Sequence, residues 1–301
     1  MQHQQEKSLL KLSVYAALVF AVGGIVWGWL VSSQMVQFDG YYSLISVGLS
    51  MLSLGAAQFI RRHDHKRFPF GKDMLEPIVI LFKYSIILLL CIFSIVQAVT
   101  GLTTGGRATD IDGALLYSII GAAGCLAIYL YFKRKSKNAG GFITAESNQW
   151  KMDSLLSSAV LIGFMIAAVL SRTDYDFVVP YIDPVMVLIV AGYFIKVPVT
   201  EMMKSGREIL EMSPDQIIQS QIEAITEDLE KKYDFQESIV RVAKVGGKLF
   251  VEIDFVVSPQ SSIQTVKMQD QIRSEFSNKI HHMKYTKWLT ISFTGDRKWA
   301  I

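Results

Sequence analysis

Residues 38–50 read "FDGYYSLISVGLS". The stretch lies inside a long apolar region, yet it carries a carboxylate, two phenols and three serines. On a helix, Asp39, Ser43, Ser46, Ser50 and Ser53 follow at spacings of 4, 3, 4 and 3 and share one face. Tyr42 flanks that face one turn before Ser46. Serines on such a face let helices approach closely and hydrogen-bond across the interface. A carboxylate inside a membrane span is costly and marks function. Asp39 also suits a capping or water-facing place at the outer end of a span. Which account applies depends on whether the chain crosses a membrane.

Six apolar segments are each near the length needed to cross about 30 Å of hydrocarbon. They are Leu9–Val31, Gln37–Ile60, Pro77–Leu102, Asp112–Phe132, Ala145–Ser171 and Pro180–Met203. The chain has 301 residues, 51% hydrophobic and 19% charged, and the charges are segregated. Its net charge of +3 and the lack of a basic stripe interleaved with aromatics give no sign of nucleic-acid binding. Basic residues crowd "RRHDHKRFPFGKD" after the second segment, "KRKSKN" after the fourth, and Lys204 and Arg207 after the sixth. The opposite loops, "SSQMV", "TTGGRATDI" and "RTDYDFVV", hold few. By the positive-inside rule both termini are expected in the cytoplasm. The polar N-terminus lacks a small-residue cleavage site, so the first segment reads as a retained span. There is no strong internal repeat of the inverted-transporter kind. Cys91 and Cys125 both fall in apolar segments and read as reduced, lipid- or core-facing residues.

Residues 209–301 read as a water-soluble domain and residues 1–208 as the membrane domain. "SPDQ" at 213–216 is a helix start, with Ser213 as cap, Pro214 first in the helix and Gln216 in the place of a capping box. "SIVRVAKV" and "KLFVEIDFVV" alternate like strands around Gly246-Gly247, a hairpin signal. "SIQTVKMQDQIRSEFSNKI" returns to helical spacing and "KWLTISFT" ends as a strand. The expected fold is an all-α six-helix transmembrane domain followed by a cytoplasmic α+β domain of order α-β-β-α-β, helices on one sheet face.

The fifth segment offers a partner for the hydroxyl row. Glu146, Gln149, Asp153 and Ser157 lie close to one helical face. Asp153 lies about 8 residues, ~12 Å, inside the cytoplasmic edge, and Ser46 ~13 Å inside the outer edge, at 1.5 Å per residue. In a core about 30 Å thick the two levels meet near the midplane. Lys83 in the third segment is a rival partner for Asp153, although it can snorkel to the nearby interface.

Six spans with both ends inside, polar faces on spans two and five, "FPFGKDMLEP" in the basic loop and an α-β-β-α-β tail resemble the cation diffusion facilitators. The resemblance covers nearly the whole chain. It implies a homodimeric, proton-coupled cation exporter of the lipid bilayer, with tails that associate in the cytoplasm of a bacterial cell. It implies no cofactor beyond the transported cation and protons. It also implies a transport site from two residues, four apart, in each of spans two and five. Those positions carry Tyr42, Ser46, Gln149 and Asp153, with Asp39 beside them. Zinc favours imidazole, thiolate and carboxylate donors; a phenol, a hydroxyl, an amide and one carboxylate suit another divalent ion, such as manganese or ferrous iron, or a monovalent one. Where the family's loop site uses histidines, the chain has Phe68 and Lys72, with His63, Asp64 and His65 nearby; His281 and His282 read as solvent-facing. The alternative is a non-transporting membrane scaffold or partner subunit. An enzyme is not expected: the tail has no nucleophile elbow, phosphate loop or paired catalytic carboxylates.

Overall fold

The computed structural model describes residues 2–62, 64, 66–136, 141–261, 263 and 265–300; for 2–11, 50, 53, 54, 61, 135, 136, 141–146, 148, 149 and 152 only the backbone is described. Seven helices come first: α1 (Gln2–Leu30), α2 (Gln34–Arg61), α3 (Leu75–Thr103), α4 (Ile111–Ser136), α5 (Gly141–Leu170), α6 (Val179–Phe194) and α7 (Lys196–Ile209). Then follow α8 (Gln216–Tyr233), β1 (Glu237–Val245), β2 (Lys248–Val256), α9 (Val266–Lys279) and β3 (Thr286–Thr294). Among the described residues, five stretches are long and apolar enough to cross a membrane: Leu12–Leu30, Leu75–Thr103, Ile111–Arg134, Asp153–Leu170 and Asp176–Ile209. The second expected span corresponds to α2, 28 residues long, which is not one of these five.

The sixth expected span runs through α6 and α7, which lie in one stretch, Asp176–Ile209, long and apolar enough to cross a membrane. The backbone stays helical at Ile195 between them, with φ −55° and ψ −32°. Pro198, which has no N–H to give, leaves the ladder one bond short there, at Phe194.

The chain groups into two compact units, residues 1–52 with 83–199 and residues 53–82 with 200–301. In the first, α4 and α5 form the most extensive helix pair, and α1 packs on both. Its core includes Met35, Phe38, Cys91, Phe164 and Val187. The helices α1 and α2 cross at glycines. A Cβ on Gly40 would stand 2.5 Å from the Ile25 nitrogen, and one on Gly24 would stand 3.0 Å from the Gly40 Cα. Small residues at this crossing permit the backbone contact, as in other membrane helix pairs.

The first turn of α2 is held from a distance in sequence. Asp183 of α6 is 1% exposed. Its carboxylate accepts from Ser33 Oγ (2.6 Å), Gln34 N (2.7 Å) and Met35 N (3.2 Å). Ser33 Oγ in turn accepts from Val36 N at 3.1 Å. Amides left without an intrahelical partner at a helix start are thus satisfied by a negative charge, which also suits the helix dipole.

In the second unit the strands stand in the order β1-β2-β3, β1 antiparallel and β3 parallel to β2. The parallel pair needs a crossover, and α9 supplies it. Leu249, Val251, Ile253 and Phe255 alternate on one face of β2 and pack with Ile222, Leu229, Ile272 and Phe276 from the two helices. The expected hairpin forms at Gly246-Gly247, where Gly246 has φ +55°. The expected helix start at Ser213 does not: α8 begins at Gln216, and Asp215 at its N-cap makes no side-chain cap bond. The Ser213 carbonyl instead receives Arg207 Nη2 at 3.4 Å, which ties it to the end of α7.

Lys72 is buried in this unit, its ammonium donating to the carbonyls of Arg62 (2.9 Å) and Phe59 (3.4 Å) at the end of α2. The hairpin flanks are also anchored. Lys248 pairs with Asp73 at 2.5 Å, Lys244 pairs with Glu208, and the Gly246 N–H donates to Glu208 at 2.8 Å.

Candidate cation site

The first unit encloses a cavity of about 50 Å³, room for a desolvated ion with a water or two. Three helices supply its polar wall. Helix α2 gives Asp39, Tyr42, Ser43 and Ser46; α4 gives Tyr117, Ser118 and Cys125; α5 gives Asp153 and Ser157. Ala17 and Phe20 of α1 and Trp150 of α5 close one side. That side is locked by a buried bond from Trp150 Nε1 to Ser13 Oγ (2.8 Å) and by an edge contact between the Phe20 and Trp150 rings.

Four of the five residues named from the sequence, Asp39, Tyr42, Ser46 and Asp153, therefore border one space. On α2 the row's first three members, Asp39, Ser43 and Ser46, face the space that Asp153 and Ser157 of α5 border. Gln149 lies on α5 one turn before Asp153, and its side chain is outside the described residues, as are those of Ser50, Ser53 and Glu146. Asp39 is not a helix cap. It lies inside α2, past the first turn that Asp183 holds, and its Oδ2 accepts from the Tyr117 hydroxyl at 3.3 Å. Tyr42 stacks edge-on against Phe194 at 5.0 Å, and Asp153 lies within electrostatic range of both Tyr42 and Cys125. Lys83, the rival partner for Asp153, does not border the cavity; its ammonium lies 5.9 Å from the centroid of the Tyr84 ring.

Cys125 is buried in a core cluster with Phe132 and Trp150, as expected, and it also borders the cavity, where the Ser157 hydroxyl donates to its sulfur at 3.7 Å. Cys91 is fully buried in the core. The contribution of α4 was readable: Tyr117, Gly121 and Cys125 recur every four residues and form one face. Asp183 was also readable as a carboxylate in an apolar segment.

The cavity holds hard oxygen donors, two of them carboxylates, and one thiol. Among the described residues no three His, Cys, Asp or Glu side chains are already drawn together as a metal cluster. A cation bound here would complete its shell with serine and tyrosine hydroxyls or retained water, as hard or borderline ions accept.

Elsewhere, Asp64 Oδ1 accepts from Arg67 N in the basic loop, while His63 and His65 lie outside the described residues. His281 and His282 are exposed, and His282 Nδ1 lies 3.0 Å from the Lys279 carbonyl. Phe68 packs edge-on against Phe59, and the Lys72 ammonium lies over the Phe59 ring at 4.0 Å.

Helices long and apolar enough to cross a membrane mark a membrane protein, and the cavity lined by carboxylates and hydroxyls is its candidate ion site. The cation efflux transmembrane domain matches residues 10–210, more than half of the chain, and the chain belongs to that family, the cation diffusion facilitators. It is an integral, multi-pass membrane protein of a cation efflux transporter family, not an enzyme. No curated protein matches the chain significantly.

Proposed function

We propose that the chain exports a cation in exchange for protons by alternating access, using the cavity between α2, α4 and α5. The observation that carries this reading is that Asp39 and Asp153, from different helices, border the same small space among hydroxyl donors. Asp153 binds the cation and takes a proton when the cation leaves. Asp39, Tyr42 and Ser46 complete or flank the site, and Gln149 joins them from α5. The donor set favours a divalent ion less demanding of nitrogen and sulfur than zinc, such as manganese or ferrous iron, or a monovalent ion.

In this reading α2 also spans the membrane, as the second of six spans, and both termini lie in the cytoplasm of a bacterial cell, with the inner membrane as the site of transport. Residues 1–208 form the membrane domain, and residues 209–301 form the cytoplasmic domain that joins two copies into a homodimer. The test is uptake into proteoliposomes across a panel of ions, with and without a pH gradient. Transport of at least one ion, accelerated by an opposing proton gradient, is expected. Silence for every ion in folded protein would overturn the reading in favour of a membrane scaffold or partner subunit.

A further inference from the structure

Gly24, Gly40 and Tyr117 form one arrangement beside Asp39. Gly24 and Gly40 bring α1 and α2 into backbone contact beside Asp39. A Cβ on Gly24 would stand 2.6 Å from the Tyr117 hydroxyl, so the empty space over Gly24 is the seat of that hydroxyl. From this seat Tyr117 donates to Asp39 Oδ2. Its ring belongs to α4, a helix to which the sequence assigned no part in the site.

We propose that Tyr117 is a positioning residue for the cation site: seated against Gly24, it aims the Asp39 carboxylate into the cavity shared with Asp153. This rests on the reading of the cavity given under Proposed function. A carboxylate on a two-bond stem has rotamers that leave the cavity as well as one that faces it. The phenol selects among them, because its hydroxyl donates to Asp39 and cannot follow that side chain far without leaving its seat. The bond is 3.3 Å long, beyond the usual 2.7–2.8 Å of an O–H···O bond. Partners that orient a metal ligand in this way contribute about 10–100-fold in affinity when lost. A donor also leaves one carboxylate oxygen committed and the other turned to the ion, so Asp39 acts as a one-oxygen ligand.

The experiment is concentration-dependent transport in proteoliposomes, with manganese as the probe ion and the ion of best uptake as a second probe. Tyr117→Phe keeps the ring and removes the donor. It should raise the half-saturating ion concentration about tenfold or more while leaving the maximal rate within about twofold. Gly24→Ala pushes on the same hydroxyl and should raise half-saturation in the same direction. Because both act on one atom, the double variant should lose less than the product of the two single losses. Tyr117→His, which restores a donor near the same place, should recover part of the affinity. Unchanged half-saturation in Tyr117→Phe overturns the proposal, and so do independent, multiplying effects of the two substitutions. Asp153→Asn separates the two levels: if it transports normally, the reading of the cavity fails. If it is dead while Tyr117→Phe is unchanged, only the positioning role fails.

Discussion

Replacing Asp183 by Ala should loosen the start of α2 and, through it, the cation site. The carboxylate is 1% exposed and receives one hydroxyl and two amides. A hydrogen bond to a charged group contributes about 1.5–3 kcal/mol, and a buried amide left without a partner costs about 1–3 kcal/mol. Water entering the space left by the side chain offsets part of this. Loss of the two amide bonds alone therefore costs about 3 kcal/mol or more, which is about a hundredfold in the local opening equilibrium. The assay is amide hydrogen exchange in detergent, read at Gln34 and Met35 and compared with an interior segment of α4. Protection at the start of α2 should fall about a hundredfold, while α4 changes little. Asp183→Asn should fall between the two, since its amide oxygen accepts one N–H but its nitrogen faces a donor. Equal exchange in wild type and Asp183→Ala would refute the assignment of Asp183 as the cap of α2.

Asp153→Asn should abolish proteoliposome transport in protein that elutes and melts like the wild type; a wild-type rate would remove Asp153 from the site. Because Asp39 borders the cavity and does not cap α2, Asp39→Asn should impair transport severely too, and a near-normal rate would return it to a structural role. Gly40→Leu should destabilise the α1–α2 crossing by about 1–3 kcal/mol or more, since even a Cβ would overlap the Ile25 nitrogen; an unchanged melting temperature would contradict this. In the tail, hydrogen bonds from Lys232 and then Tyr233 hold the Glu275 carboxyl below its ordinary value of 4.5. A lowered folded-state value gives stability that is present above the unfolded value and is lost as pH falls through the folded one. Exchange protection of α9, normalised for intrinsic rates, should thus decline as pH drops below 4.5, less steeply in Glu275→Gln; equal slopes would sever the link.

The tail was legible because its signals are local. A glycine pair between alternating strands, two helices with apolar faces and a terminal strand leave few ways to bury Leu249, Ile253 and Phe276 together. The meeting of Ser46 with Asp153 was legible for a different reason: residue rise fixes depth within a membrane, so two levels can be compared before any packing is known. Depth says nothing of azimuth, however. Which further helix borders the same cavity was not fixed by counting, and so α4, with Tyr117 and Cys125, was left out.

Three aspartates in the first unit show why residue type alone does not identify a transport site. Each lies in an apolar segment, and each would be marked by the same rule that an intramembrane carboxylate is functional. Their surroundings separate them. Asp183 is met by three donors at a helix start and borders no part of the cavity, so its charge is spent on holding α2 in place. Asp39 and Asp153 border open space with hydroxyls around them. A carboxylate whose acceptor sites are filled by protein donors has little left to offer a passing ion. In the proposed mechanism, Asp39 and Asp153, which border the cavity, are the carboxylates that meet the ion. The two kinds are also linked along the chain: the cap formed by Asp183 fixes the first turn of α2, and Asp39 follows within the next, so the structural carboxylate holds the helix that, in the proposed mechanism, brings the other one to the ion.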